Sequence, residues 1–254
     1  MLGLGIALRP PARAGFDPAT LIGTGTAAIW LEPSDLRSMS QDAAGTVPAA
    51  VDAPVGRIAD RSGRGHHATQ GNAAFRPILR READGRLALE FDGVDDFLVH
   101  AFGVGAGDVT LSCAAQRTGD TVLDIGLFQA TPPGAPLRAG IWAQAAAPQW
   151  GSYIAGAFRP AGRDIRTRAV MTVVGRAAAD TQRMLTNGGA AVEMAGSYAG
   201  DAQDRRAVGR EFSAAGQRTF RGRLYTLFGV ARALDGDDLS RLVRHQAAQA
   251  GVTT

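Results

Sequence analysis

Lysine is absent: all 27 basic residues of the chain are arginine. Cysteine occurs once, at Cys113, and aromatic residues make up only 6% of the 254 positions. A lone cysteine excludes an intrachain disulfide framework. Four histidines and one thiol leave little for a zinc site. The one adjacent pair, His66-His67, would point to opposite faces of a strand and chelate poorly. No apolar run approaches the roughly 20 residues of a membrane span, so membrane insertion is not expected. Met1–Leu8 is apolar, but no basic segment precedes it and Arg9-Pro10-Pro11 follows, a poor secretion signal. Synthesis and folding in the cytoplasm are expected. The 24 acids are interleaved with the arginines, leaving a net charge of +3. A nucleic-acid surface needs a segregated basic stripe, so nucleic acid is not expected as a partner. Neither a nucleophile elbow nor a Gly-x-x-x-x-Gly-Lys phosphate loop occurs.

What the chain does have is turn chemistry between short apolar runs. It carries 33 glycines and 12 prolines, and 45% of its residues are hydrophobic. Strands are predicted at Ala27–Leu31, Leu87–Phe91, Phe97–Ala101, Val109–Gln116, Val122–Phe128, Leu137–Trp142, Tyr153–Phe158 and Ala169–Val174. Further strands are predicted at Met184–Leu185, Ala191–Met194 and Phe220–Val230. Many strands at short spacing without intervening helices form the pattern of a β-sandwich. Around the cysteine the alternation is strict. Val109, Leu111, Cys113 and Ala115 share one face, and Asp108, Thr110, Ser112 and Gln116 the other, so Cys113 reads as a small core residue.

The ends differ from this body. Residues 1–25 lack a strong apolar period and read as an N-terminal arm, loose or docked on a partner; residues 26–254 read as one domain. Pro33-Ser34-Asp35-Leu36 offers a serine cap and one helical turn, and Met39–Ala53 reads as a surface loop. Near the C-terminus, Asp237 and Asp238 fall in the first turn of a predicted helix, where they favour its dipole. Leu239, Leu242, Val243 and Ala247 form its apolar stripe, and Gly251 is its stop.

The densest motif is Asp60-x-Ser62-Gly63-x-Gly65-x-His67-Ala68-x-Gln70, followed by Pro77 and Leu89-x-Phe91-Asp92-Gly93-x-Asp95-Asp96-x-Leu98. Gly and Asp at this density mean sharply turned backbone feeding short strands. The string resembles the opening of a LamG-like domain, a concanavalin A-like lectin/glucanase jelly roll. With Trp30-Leu31-x-Pro33-Ser34-Asp35-Leu36 ahead of it, it resembles versions found in phage and phage-like particle (gene transfer agent) fibre or spike proteins. Arg183-Met184-Leu185-Thr186-Asn187-Gly188 resembles the central hairpin of such domains. Phe220-Arg221-Gly222, Arg232-Ala233-Leu234 and the short final helix resemble their ending. The likeness runs from about Ala27 to Ala250. It implies an all-β jelly-roll sandwich with a short C-terminal helix, facing carbohydrate.

Candidate sites follow from residue chemistry. Trp142, Trp150 and Tyr153 cluster around the predicted loop Gln144–Ser152, with Gln149 and Arg159 near; rings stack on sugar faces and planar polar groups bond hydroxyls. These five are the expected carbohydrate contacts. Trp30 reads as core. Arg159, Arg163, Arg166 and Arg168 form a basic run, read as a solvated and partly paired surface. Glu90-Phe91-Asp92-Gly93-Val94-Asp95 is similar to the carboxylate triad of glucanases, but Gly93 breaks the strand and the last acid is short. No catalytic residue is therefore expected, and no enzyme. No cofactor is expected either; Asp60, Asp92, Asp95 and Asp96 are the candidate ligands if calcium binds, since Ca²⁺ takes six to eight such oxygens.

The resulting expectation is a non-enzymatic fibre or spike protein on a virion or phage-like particle, binding host surface polysaccharide as an adhesin. Its expected partners are particle proteins through the arm, host polysaccharide, and further copies of itself. The alternatives are a purely structural particle component and a glycoside hydrolase of the same fold.

Overall fold

The computed structural model describes residues 16–105, 107–119, 125–134, 140–144, 149–154, 157–164, 166–195, 204–213 and 216–254. The strands in chain order are β1 (Ala28–Leu31), β2 (Met39–Ser40), β3 (Arg57–Ile58), β4 (Ala68–Thr69), β5 (Ile78–Arg81), β6 (Leu87–Asp92), β7 (Leu98–Val99), β8 (Val109–Arg117), β9 (Ile125–Thr131) and β10 (Gly140–Ala143). They continue as β11 (Gln149–Ile154), β12 (Ala157–Asp164), β13 (Ala169–Arg176), β14 (Thr181–Thr186), β15 (Val192–Ala195), β16 (Arg205–Val208), β17 (Arg210–Ser213), β18 (Gly216–Thr219) and β19 (Arg221–Val230), before helix α1 (Gly236–Ala250).

Two antiparallel sheets face each other. Sheet I runs β15-β14-β13-β8-β19-β6-β5, with β1 also paired to β19. Sheet II runs β12-β11-β10-β9-β16-β7-β4-β3-β2, and β17 and β18 form a separate ribbon. The core between the sheets takes Leu89, Phe91, Leu111 and Cys113 from sheet I and Ile58, Leu98, Leu127, Ile141 and Val208 from sheet II. The fold is the all-β jelly-roll sandwich with a C-terminal helix that the sequence implies.

Cys113 sits in the centre of sheet I, opposite Met171 on β13 and Leu227 on β19. Burial pushes its thiol pKa far up, which suits a core residue and not a nucleophile. The opposite face of β8 is also buried. Helix α1 covers it, setting Leu239, Leu242, Val243 and Ala247 against Ala114, Val170, Tyr225 and Phe228. The buried Ser112 hydroxyl lies within bonding distance of Gln246 Oε1, and Gln246 Nε2 donates to the Ser112 carbonyl at 3.1 Å. Ser112→Ala leaves that amide oxygen without its hydroxyl donor, so a loss of about 1–3 kcal/mol is expected in urea unfolding.

Local signals behave as the residue types require. Asn187 and Gly188 both take positive φ, 53° and 70°, which makes the tight hairpin turn between β14 and β15. Gly251, at φ 68°, ends α1 in the left-handed conformation. The cap of the 3₁₀ turn Leu36–Ser38 is Asp35, whose carboxylate accepts from the Arg37 N–H; the expected Ser34 cap is not used there.

Other boundaries differ from expectation. The predicted strand Tyr153–Phe158 is the join of two strands, β11 and β12, paired with Tyr153 opposite Phe158. The predicted loop Gln144–Ser152 contains the first four residues of β11. The strands β3, β4, β5, β16, β17 and β18 carry too few apolar residues to signal themselves.

Part of the segment assigned to the arm packs on the body. Asp17 caps a 3₁₀ turn at Pro18–Leu21, Leu21 is buried in the helix-side core, and Arg232 Nε donates to the Leu21 carbonyl at 2.9 Å. Arg64 donates to the Gly23 carbonyl at 2.8 Å. Residues 1–15 lie outside the described ones.

Candidate functional site

Trp142 and Trp150, the expected sugar platforms, are both fully buried. Trp150 belongs to the inter-sheet core, 6.3 Å ring to ring from Phe220. Alternation explains it: Ala143 and Trp150 pair across β10 and β11, and both project inward. A sugar cannot reach either ring. Gln149 is half-buried and bonds Gln144 through its side-chain amide at 2.8 Å, while Arg159 is exposed on β12. The side chain of Tyr153 lies outside the described ones. The five residues therefore do not form the expected surface cluster. Of the nearby basic run, Arg168 is committed to Glu82 and Asp84.

Asp60 is a structural staple. Its Oδ1 accepts from Trp30 N–H at 2.9 Å and Ser62 N–H at 2.8 Å, and its Oδ2 from Ser62 Oγ at 2.7 Å and His66 N–H at 2.9 Å. That leaves no carboxylate oxygen for a metal. The other three candidates do meet: Asp92, Asp95 and Asp96 bring carboxylate oxygens within 4.8 Å of one another. Asp92 Oδ1 accepts from Val94 N–H at 2.7 Å, and Asp96 Oδ2 accepts from Asp92 N–H at 2.9 Å. Burial, with the negative charges of Asp92, Asp95 and Glu90, raises the Asp96 pKa to about 7. Three carboxylates, two of them already accepting turn N–H groups, fall short of the six to eight oxygens that calcium takes. Of the four aspartates named as candidates in case calcium binds, Asp60, Asp92 and Asp96 spend carboxylate oxygens on backbone N–H groups.

Glu90 lies on the outer face of β6, held by Arg80 Nε at 2.6 Å and Arg223 Nη2 at 3.3 Å. A smaller cleft of about 290 Å³ is lined by Glu90 and Asp96 together with Arg80, Arg221 and Thr118.

A second opening, on sheet II, had no signal in the sequence. It measures about 540 Å³ and is lined by His67, Thr69, Val99, His100, Ala101, Asp204 and Arg206. Three neighbouring strands build it. Thr69, Val99 and Ala207 stand in one cross-strand row on β4, β7 and β16, with Ala68, Leu98 and Val208 pointing the other way into the core. Val99 is thus 40% exposed beside a fully buried Leu98.

The polar groups around the cleft are fixed. Arg206 clasps Asp204 through Nε at 2.8 Å and Nη2 at 2.5 Å, and its Nη1 donates to the Ala101 carbonyl at 3.1 Å. This pairing holds the Asp204 carboxyl below its usual range. His67 Nδ1 accepts the Asp60 N–H at 3.0 Å, so the neutral ring carries its proton on Nε2. Burial and the charge of Arg57 hold its pKa down. His100 turns inward against Phe102 and Phe128, with ring centroids 6.3 and 5.8 Å away. Burial takes it to about 4, so it is neutral at pH 7. The exposed Val99 and Ala101 add an apolar patch. The volume falls in the ~300–1,000 Å³ range of small-ligand clefts.

No family model and no curated protein matches the sequence. Solved structures do match. An arabinofuranosidase complexed with arabinofuranosyl-α-1,2-xylobiose aligns with 92% of this chain and 65% of its own, at TM-score 0.61 and 12% identity. A Trypanosoma rangeli sialidase aligns with 90% of this chain and 34% of its own, at TM-score 0.56 and 14% identity. A botulinum neurotoxin type C structure, whose cell entry depends on two ganglioside molecules, covers 87% and 51%, at TM-score 0.53 and 9% identity. The likeness shows a β-sandwich fold shared with part of each of these proteins.

The chain spans about a third to two thirds of these proteins, so the likeness is to part of each. It also corrects one expectation. Two of these three proteins are glycosidases, and reading the chain as a non-enzyme does not stand. At these identities the likeness carries fold and not activity.

Proposed function

We propose that this chain is a carbohydrate-recognising β-sandwich displayed on a phage or phage-like particle, and that the sheet II cleft is its saccharide contact. The observation that carries the recognition half is the cleft itself. An exposed valine and alanine lie beside a hydroxyl, an imidazole N–H and an Asp–Arg pair, all held on a rigid sheet. Apolar surface for the C–H face of a sugar and fixed groups for its hydroxyls are what saccharide binding needs. The particle half is supported by the ordered sequence likeness from Ala27 to Ala250. In this reading the N-terminal arm attaches the chain to other particle proteins. Several copies then turn weak single-site binding into firm adhesion to host polysaccharide.

The test is a glycan array and host-polysaccharide retention with the wild-type chain and Val99→Asp. Val99 faces outward, so the variant is expected to unfold at an unchanged temperature while its saccharide affinity falls at least tenfold. Reducing-sugar release in the same mixtures reads whether a bound saccharide is also cleaved. Antibody labelling of intact particles tests display. Absence of retention on every saccharide overturns the recognition reading, and unlabelled particles overturn the display reading.

A further inference from the structure

We infer that the sheet II cleft selects an uncharged saccharide and rejects uronates and sialic acids. This rests on the recognition reading above and adds the ligand's charge class. Among the described residues Arg206 is the one cation lining the cleft, and three of its five N–H groups are already bound by both oxygens of Asp204 and by the Ala101 carbonyl. A ligand carboxylate would have to displace Asp204, a covalently tethered partner at 2.5 Å, and leave that carboxylate unpaired.

The other charged residue near the row is Arg57, opposite Thr69 on β3. Its guanidinium turns away to the Ala44 carbonyl at 3.3 Å and packs against Gly45, and it does not line the cleft. Both lining histidines are neutral at pH 7, because His67 spends Nδ1 on the Asp60 N–H and His100 is sealed among Phe rings. What remains for a ligand is the Thr69 hydroxyl, the His67 Nε2–H, the outer lone pairs of Asp204 and the two Arg206 N–H groups that the Asp204 and Ala101 bonds leave over. Hydroxyl groups answer all of these, whereas a carboxylate would meet an arginine whose charge Asp204 already neutralises.

Calorimetry separates the possibilities. The probes are neutral oligosaccharides ending in glucose, galactose, xylose or arabinose, against polygalacturonate and polysialate, each at 50 and 500 mM NaCl. Binding is expected only to neutral probes, with affinity changing less than twofold between the two salts. Thr69→Val, which keeps shape and removes the hydroxyl, is expected to weaken it five- to twentyfold. Preferential binding of an anionic probe, weakening with salt, overturns the inference but keeps the recognition reading. Neutral binding untouched by both Thr69→Val and Val99→Asp moves the site elsewhere and overturns it too. No binding to any probe overturns the recognition reading itself.

Discussion

Trp150→Ala is expected to lose about 3–5 kcal/mol of stability, the cost of deleting a large ring from a packed core. Trp150 is fully buried against Phe220 in the inter-sheet core. The cavity would open between the two sheets, where Leu and Phe side chains of both layers meet and cannot collapse without shifting strands. Trp150→Phe should lose less than half as much. Its indole N–H has no hydrogen-bond partner among the described residues, so the smaller ring sacrifices packing alone. Urea unfolding of the three proteins checks this. A Trp150→Ala chain as stable as wild type, but deficient in saccharide binding, would return Trp150 to the surface role that its position in the sequence suggested.

Acid is expected to act on stability through two residues of opposite sign. His100 has a folded pKa of about 4, lowered by burial from 6.5. The unfolded chain takes up a proton below pH 6.5 that the folded chain refuses. Stability therefore falls as the pH drops through that range, by about 3 kcal/mol in full at pH 4 and below. Asp96 works in reverse. Its folded pKa is about 7, raised from 3.8 by burial and by its acidic neighbours. Ionising it costs the folded state above pH 7, and the cost vanishes as the pH falls to 4.

Part of the Asp96 shift comes from exposed carboxylates that solvent screens, so its share is about 1–2 kcal/mol. In wild type the two contributions partly cancel between pH 6.5 and 4. Asp96→Asn, which keeps an oxygen for the Asp92 N–H, should be more stable than wild type at pH 8 and fall more steeply into acid. His100→Phe should instead gain stability as the pH drops from 7 to 4. Thermal unfolding at half-unit pH steps checks both. A variant pair with parallel pH profiles would mean that neither group titrates differently in the folded chain.

The sandwich class was legible because strands half-buried on a sheet alternate, and turns demand particular residues. The register of β8 around Cys113, the Asn187-Gly188 turn and the limits of α1 all follow from side-chain period and backbone φ within a few neighbours. The Asp60 staple was legible as turn chemistry too, since its four donors include Ser62 and His66, two and six residues on.

Burial was not decided so locally. Period two assigns residues to faces but does not say what covers each face. Thr110 and Ser112 look solvent-facing on β8 until Arg232 to Leu234 and α1, more than a hundred residues later, lie across them. Trp142 and Trp150 look like loop aromatics until strand pairing turns Trp150 inward and neighbouring structure closes over Trp142. The cleft is the extreme case. His67 to Thr69, Val99 to Ala101 and Asp204 to Arg206 come from three stretches with no common motif. They meet because β4, β7 and β16, far apart in the chain, hydrogen-bond side by side, and that pairing is a property of the folded sheet.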